Sequence, residues 1–123
     1  MSSILIIDDS SIVCKHLEKQ FNREGIDVLF GYSALEALDV IKSYEPSLII
    51  LDLCLHDIHG ITFLETIRKS NNMIPVYILT ASDNPSEILE CMKLGASGVY
   101  KKDDLSNNQA FIKVVVEYLA QPI

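Results

Sequence analysis

Five polar side chains stand where short apolar runs of the sequence end: Asp8, Asp9, Asp52, Thr80 and Lys102. Three are carboxylates, which repel one another in a shared pocket and raise the pKa of at least one unless a cation binds. Oxygen ligands without Cys or His favour a hard cation such as Mg²⁺ over zinc. The Thr80 hydroxyl and the Lys102 ammonium, next to such a cation, can hold phosphoryl oxygens. Together these residue types predict a phosphoryl-transfer site, with Asp52 as the nucleophile that forms an aspartyl phosphate.

The elements that would position these residues follow from an alternation of apolar runs and amphipathic stretches, which is typical of βα units. The runs predict strands at residues 4–7, 27–30, 48–51, 76–79 and 99–101. Capping residues, Gly and Pro predict where the helices begin and end. The first predicted helix runs from Ser10 or Ser11 to about Glu24, and the second begins at a capping box at Ser33 and ends before Pro46. The third covers residues 61–69, and the fourth runs from Asn84 to Leu94. The last begins at a capping box at residues 106–109.

Five βα units joined by right-handed crossovers predict a three-layer α/β/α sandwich around one doubly wound parallel sheet. For five such units the flavodoxin-like strand order 2-1-3-4-5 is the common one. In that order the first and third strands are neighbours, and all carboxyl ends lie at one edge. We therefore expect Asp8, Asp9 and Asp52 in one crevice, next to Thr80 and Lys102.

Composition limits the classes of protein to consider. The 123 residues fit a single domain, residues 1–123, with 49% hydrophobic and 22% charged residues. Ten Lys and Arg against 17 Asp and Glu give a net charge of −7, which argues against direct nucleic-acid binding. The longest apolar stretch, around residues 48–55, is interrupted by Asp52 and is too short to span a membrane. Three widely spaced cysteines indicate a reducing compartment, and we expect a cytoplasmic protein.

The sequence resembles the receiver domains of response regulators in bacterial two-component systems. The resemblance covers essentially the whole chain and is carried by four motifs. These are IIDDS at residues 6–10, LIILDL at 48–53 followed by Gly60, VYILTA at 76–81, and LGASG at 94–98 leading to Lys102.

This resemblance implies a role for each site residue. Asp52 would accept a phosphoryl group from a sensor histidine kinase or a histidine phosphotransfer protein. Asp9, Asp52 and the backbone carbonyl of Cys54 would bind Mg²⁺ directly, and Asp8 would act mainly through a metal-bound water. The phosphoryl oxygens would then contact the two remaining residues of the set, Thr80 and Lys102.

The resemblance also implies a signalling switch that catalyses only its own phosphorylation and dephosphorylation. Phosphorylation would remodel the face made by the fourth helix, fifth strand and fifth helix, where a downstream output protein or domain would bind. Phosphorylated receivers often dimerise through that face, so the resemblance also implies that a phosphorylation-dependent dimer could form. One part of the pattern differs, because Val99 stands where the family usually has Tyr or Phe. Strand alternation places the neighbouring Tyr100 on the opposite face.

Several alternatives stay open from the sequence. Cys54, His56 and His59 could form a soft-metal site on one loop, although no second half of a zinc motif exists. Lys101 is a rival to Lys102 for the phosphate contact. The chain could be a receiver-like interaction module that is never phosphorylated. It could also be a stand-alone receiver or one piece of a longer regulator.

Overall fold

The computed structural model describes residues 3–102 and 109–121, and in this part of the chain strands and helices alternate. No helix there is both long and apolar enough to cross a membrane. The elements are β1 Ser3–Ile7, α1 Ser11–Arg23, β2 Asp27–Gly31, α2 Ala34–Tyr44, β3 Leu48–Leu51, α3 Gly60–Lys69, β4 Val76–Thr80, α4 Pro85–Lys93, β5 Gly98–Lys101 and α5 Gln109–Ala120.

The five strands form one parallel sheet in the order β2-β1-β3-β4-β5, which confirms the predicted fold class and strand order. The register aligns the carboxyl ends of the central strands, since Ile7 pairs with Leu51 and Leu51 with Ile78. The residues that directly follow β1 and β3 are therefore side by side.

Successive residues of a strand point to opposite faces, and here both faces of the sheet are buried. Leu5, Ile7, Ile49 and Leu51 pack toward α2, α3 and α4. Ile4, Ile6, Leu48 and Ile50 pack toward α1 and α5. Helices therefore cover the sheet on both sides, as the predicted three-layer sandwich requires.

Local capping explains most helix boundaries. Ser10 caps α1 by accepting a hydrogen bond from the Val13 N–H, and α1 ends before Gly25, whose φ is +76°. Ser33 caps α2 by accepting from the Glu36 N–H, and Asn84 caps α4 with Pro85 at its first position. The caps at Ser33 and Asn84 confirm the predicted starts of α2 and α4. Residues 106–108 of the last predicted capping box lie outside the described residues.

The structure corrects the sequence prediction in small ways. β2 and β4 each extend one residue further, to Gly31 and Thr80, and α3 begins at Gly60 instead of residue 61. Cys14 on α1 is fully buried, and the neighbouring Val13 is half-buried and packs against the same core.

Candidate functional site

The central strands position the acidic residues through the backbone of the sheet. The Asp52 N–H donates to the Ile7 carbonyl at 2.9 Å, and the Asp8 N–H donates to the Gly31 carbonyl at 3.1 Å. One carboxylate oxygen from each of Asp8, Asp9 and Asp52 lies within 4.8 Å of the others. The crevice expected between β1 and β3 is therefore present, and it holds all three predicted carboxylates.

The three carboxylates differ in their access to solvent. The side chains of Asp8 and Asp52 are 4% and 7% exposed, whereas that of Asp9 is 39% exposed. Asp9 thus lies at the mouth of the crevice, and the other two form its floor. A ligand would meet Asp9 first and the buried pair afterwards.

Lys102 provides the positive charge at the floor of the crevice. Its Nζ lies 2.6 Å from Asp8 Oδ2 and 2.9 Å from Asp52 Oδ2. Its backbone N–H donates to the Thr80 carbonyl at 2.7 Å, which ties it to the end of β4. Lys101 is 59% exposed instead and lies 3.5 Å from Asp83. Of the two lysines, the structure brings Lys102 to the carboxylates.

The protonation of this group follows from burial and hydrogen bonding. Burial raises the pKa of Asp8, while hydrogen bonds from Lys102 and the Ser10 N–H partly offset that rise. Repulsion from Asp52 is the smallest of the effects on the pKa of Asp8. Burial is therefore the main cause of the raised pKa, and not the repulsion between carboxylates that the sequence suggested. Burial also opposes the charge of Lys102, but its bonds to Asp8 and Asp52 outweigh burial and raise its pKa.

The donor set fits a hard divalent cation. Among the described residues, Asp8, Asp9 and Asp52 are the only cluster of three or more acidic, His or Cys side chains able to share a metal ion. All of its ligands are carboxylate oxygens, which Mg²⁺ and similar ions prefer. The Cys54 N–H donates to Asp52 Oδ1 at 3.2 Å, so the backbone of residue 54 is next to this cluster.

The alternative soft-metal site on the loop is not assembled. His59 Nε2 lies 2.9 Å from Glu87 Oε2, and His56 Nδ1 lies 3.8 Å from Asp9 Oδ2. Cys54 is exposed. The two histidines therefore contact different carboxylates, and no cluster of three ligands forms with Cys54 among the described residues.

Thr80 ends β4 and is completely buried. Its Oγ1 accepts a hydrogen bond from the Ser82 N–H at 3.2 Å. That bond uses an oxygen lone pair and leaves the hydroxyl hydrogen for another acceptor. Thr80 can therefore act as a hydrogen-bond donor.

Asp57 in the loop after β3 and Gly60 at the start of α3 hold this loop in ways that the sequence pattern did not explain. A Cβ on Gly60 would lie 2.6 Å from Leu53 Cα and 2.7 Å from the Asp52 carbonyl oxygen, so only glycine allows this close approach. Asp57 accepts hydrogen bonds from the N–H groups of Ala34 and Leu35, at 3.0 and 3.1 Å. The loop between β3 and α3 is thereby tied to the start of α2. Sequence spacing carries no signal for this contact.

The chain is similar in sequence to known response regulators. A family model described as the response regulator receiver domain matches residues 4–113. Curated relatives align over 99 residues, or 80% of this chain. They include Regulator of RpoS of Escherichia coli K12 at 27% identity, response regulator MprA of Mycobacterium avium at 29%, and the alkaline phosphatase synthesis transcriptional regulatory protein PhoP of Bacillus subtilis at 31%. The aligned part spans only 29%, 43% and 41% of those relatives.

Solved structures with the same fold align over nearly the whole chain. A two-component response regulator from Clostridium difficile is 26% identical, with a TM-score of 0.85 over 98% of this chain and 100% of that one. The BeF3-activated receiver domain of RstA from Klebsiella pneumoniae is 22% identical, with a TM-score of 0.86 over 98% and 100%. The second likeness shows the fold alone.

Proposed function

Because this chain belongs to the family of response regulator receiver domains of two-component systems, we propose that Asp52 is the residue through which phosphorylation switches it. One observation carries the proposal. The buried Asp52 carboxylate shares a crevice with Asp8 and Asp9, and Lys102 Nζ lies 2.9 Å from its Oδ2. This arrangement supplies a nucleophile, an acidic metal site and a cation in one place.

The chemistry is a transfer of a phosphoryl group onto a carboxylate oxygen of Asp52. The bond from phosphorus to the donor's nitrogen or oxygen breaks, and the donor leaves with the electron pair. Once phosphorylated, the Asp52 carboxylate is part of a mixed anhydride, no longer carries its own negative charge, and holds Lys102 less tightly. The Lys102 ammonium then contacts a phosphoryl oxygen, and the Thr80 hydroxyl donates to another. Water later hydrolyses the acyl phosphate and restores the carboxylate.

The metal that suits this site is Mg²⁺. Asp9, Asp52 and the carbonyl of Cys54 would hold it directly, and Asp8 through a water molecule. When bound, the metal offsets negative charge on the carboxylates and on the phosphoryl oxygens. Lys102 already contacts the two buried carboxylates and offsets one of their two charges, so the exposed Asp9 is the residue most available to the ion.

The partners follow from the family. A sensor histidine kinase or a histidine phosphotransfer protein donates the phosphoryl group in the cytoplasm. The face of α4, β5 and α5 contacts an output protein or domain and can support a phosphorylation-dependent dimer. Residues 1–123 act as one receiver domain. With a net charge of −7, the receiver makes no direct contact with nucleic acid.

The test is intact mass after incubation with Mg²⁺ and acetyl phosphate. We expect one base-labile phosphoryl adduct on the wild-type protein and none on Asp52→Asn, which is nearly isosteric. Asp39→Asn, an exposed change on α2, is the control and should label normally. An adduct that persists in Asp52→Asn would place the acceptor elsewhere. No adduct from acetyl phosphate or from a phosphorylated histidine phosphotransfer protein would favour the unphosphorylated interaction module.

A further inference from the structure

A continuous chain of hydrogen bonds leads away from Thr80 on the side of α4. The Ser82 N–H donates to Thr80 Oγ1 at 3.2 Å. The Ser82 hydroxyl in turn donates to Glu87 Oε1 at 2.5 Å. Glu87 lies in the first turn of α4. The hydroxyl of Thr80 is thus connected through one short turn, residues 81–84, to the beginning of the next helix.

The chain continues from α4 to α3. Glu87 Oε2 lies 2.9 Å from His59 Nε2. His59 is the N-cap residue of α3, and its Nδ1 accepts a hydrogen bond from the Ile61 N–H at 3.2 Å. An imidazole nitrogen that accepts carries no hydrogen, so the hydrogen of His59 is on Nε2 and faces Glu87. Both oxygens of Glu87 are therefore used, one toward each neighbouring element.

We propose that His59 and Glu87 are positioning residues: with Ser82 they form a clamp that fixes the turn directly after Thr80, and with it the Thr80 hydroxyl. The effect on phosphoryl chemistry rests on the proposed function, but the clamp itself does not. Its members are partly shielded, with the Glu87 side chain 25% and the His59 side chain 47% exposed. Because the hydrogen bonds to Glu87 involve a charged acceptor, they are stronger than neutral ones.

The ion pair that connects this turn to β5 is weaker than the clamp. Asp83 lies 3.5 Å from Lys101, but these side chains are 79% and 59% exposed. Exposed ion pairs of this kind contribute little because water screens them. Of these two side-chain contacts, the clamp is the stronger, and it is the one that connects residues 81–84 to α3.

Amide hydrogen exchange of the unphosphorylated protein tests the clamp directly. His59→Asn keeps an N-cap residue on α3 but cannot reach Glu87 as the imidazole does, and Glu87→Ala removes the central acceptor. In each we expect exchange at Ser82, Glu87 and Ile88 to rise about 3- to 10-fold. Exchange in the double variant should be no faster than in the single variant with the larger effect, because both changes break the same clamp. Glu90→Ala, an exposed carboxylate on the same helix, is the control.

The lifetime of the phosphoryl adduct separates positioning from simple stabilisation. Both single variants should change it about 3- to 10-fold in the same direction, whereas Glu90→Ala should leave it unchanged. Unchanged exchange, additive effects in the double variant, or equal effects in Glu90→Ala would each overturn the clamp. Raised exchange with an unchanged adduct lifetime would overturn the positioning of Thr80. A wild-type protein that never labels would refute the proposed function instead, and exchange would still decide the clamp.

Discussion

At the scale of single residues, the site depends on one lysine between two buried carboxylates. Lys102 Nζ bonds both Asp8 and Asp52, and all three side chains are less than a fifth exposed. Removing one partner of a buried charge group leaves the others without compensation in a medium that solvates them poorly. The same lysine that could contact a phosphoryl group therefore also stabilises the unphosphorylated fold.

Lys102→Met should destabilise the protein by about 3 kcal/mol, since two neighbouring buried carboxylates would lose their cation. Urea unfolding at pH 7 measures this change. Lys101→Met is the matched control because its side chain is exposed and pairs only with Asp83 in the described structure. Adding Asp8→Asn to Lys102→Met should recover part of the loss. Equal losses for the two lysine variants would contradict this account.

At the scale of elements, the loop between β3 and α3 is held by two contacts near its α3 end. Gly60 lets α3 begin against the backbone of Asp52 and Leu53. Asp57 caps α2 from outside by accepting the N–H groups of Ala34 and Leu35. A carboxylate at a helix N-terminus also interacts favourably with the helix dipole. The loop that carries Cys54 is thereby held by contacts with two helices.

Asp57→Asn should lower stability at neutral pH, with an effect that disappears in acid. The hydrogen bonds from Ala34 and Leu35 lower the pKa of Asp57 below its usual 3.8. A group whose pKa is lowered on folding stabilises the protein above its unfolded pKa and loses this effect as pH falls through the folded pKa. The difference between wild type and Asp57→Asn should therefore be constant from about pH 7 to 5 and shrink below about pH 4.

Urea unfolding of both proteins across this pH range provides the measurement. Asp39→Asn, an exposed change later in α2, controls for altered net charge. A difference between wild type and Asp57→Asn that stays constant down to pH 3 would show that the carboxylate charge does not contribute.

β5 shows how strand alternation determines the surroundings of an aromatic residue. Val99 packs with the core on the side of α3 and α4. Tyr100 lies on the opposite side, with its ring centroid 5.2 Å from that of Phe111 on α5 and 6.1 Å from that of Tyr77 on β4. The prediction that Tyr100 points away from the Val99 face is confirmed. The aromatic side chain of β5 therefore contacts α5, and Val99 occupies the position facing α4.

At the scale of the whole molecule, the parallel sheet gathers charge at one edge. Three carboxylates from two strands meet there in a chain whose net charge is −7. A cation that binds only the folded state stabilises it by mass action. A metal ion bound at the proposed site would therefore raise the global stability.

Mg²⁺ should raise the thermal midpoint of the wild-type protein. At a free concentration 100 times its Kd, the stabilisation is about 2.7 kcal/mol, or several degrees for a domain of this size. Asp9→Asn should abolish most of this shift because Asp9 is the accessible member of the cluster. His56→Ala and His59→Ala should retain it. Equal losses in all three variants would support the loop metal site instead.

Much of this fold could be predicted from local pattern. Ser33 and Asn84 mark helix starts, because their side chains satisfy N–H groups only two or three residues away. Continuous apolar runs such as Leu48–Leu51 require burial on both faces. The strand order then follows from general rules of chain connection, and it brings Asp8 and Asp52 together without knowledge of any contact.

Other features depended on packing between distant segments. The cap of Asp57 on α2 and the bond between His59 and Glu87 both join residues far apart in the chain. No periodicity or spacing relates such partners, since their distance depends on how helices and loops pack across the sheet. Local chemistry was therefore enough to identify the acidic residues of the site. The contacts that neutralise and position them arise only when the chain is folded.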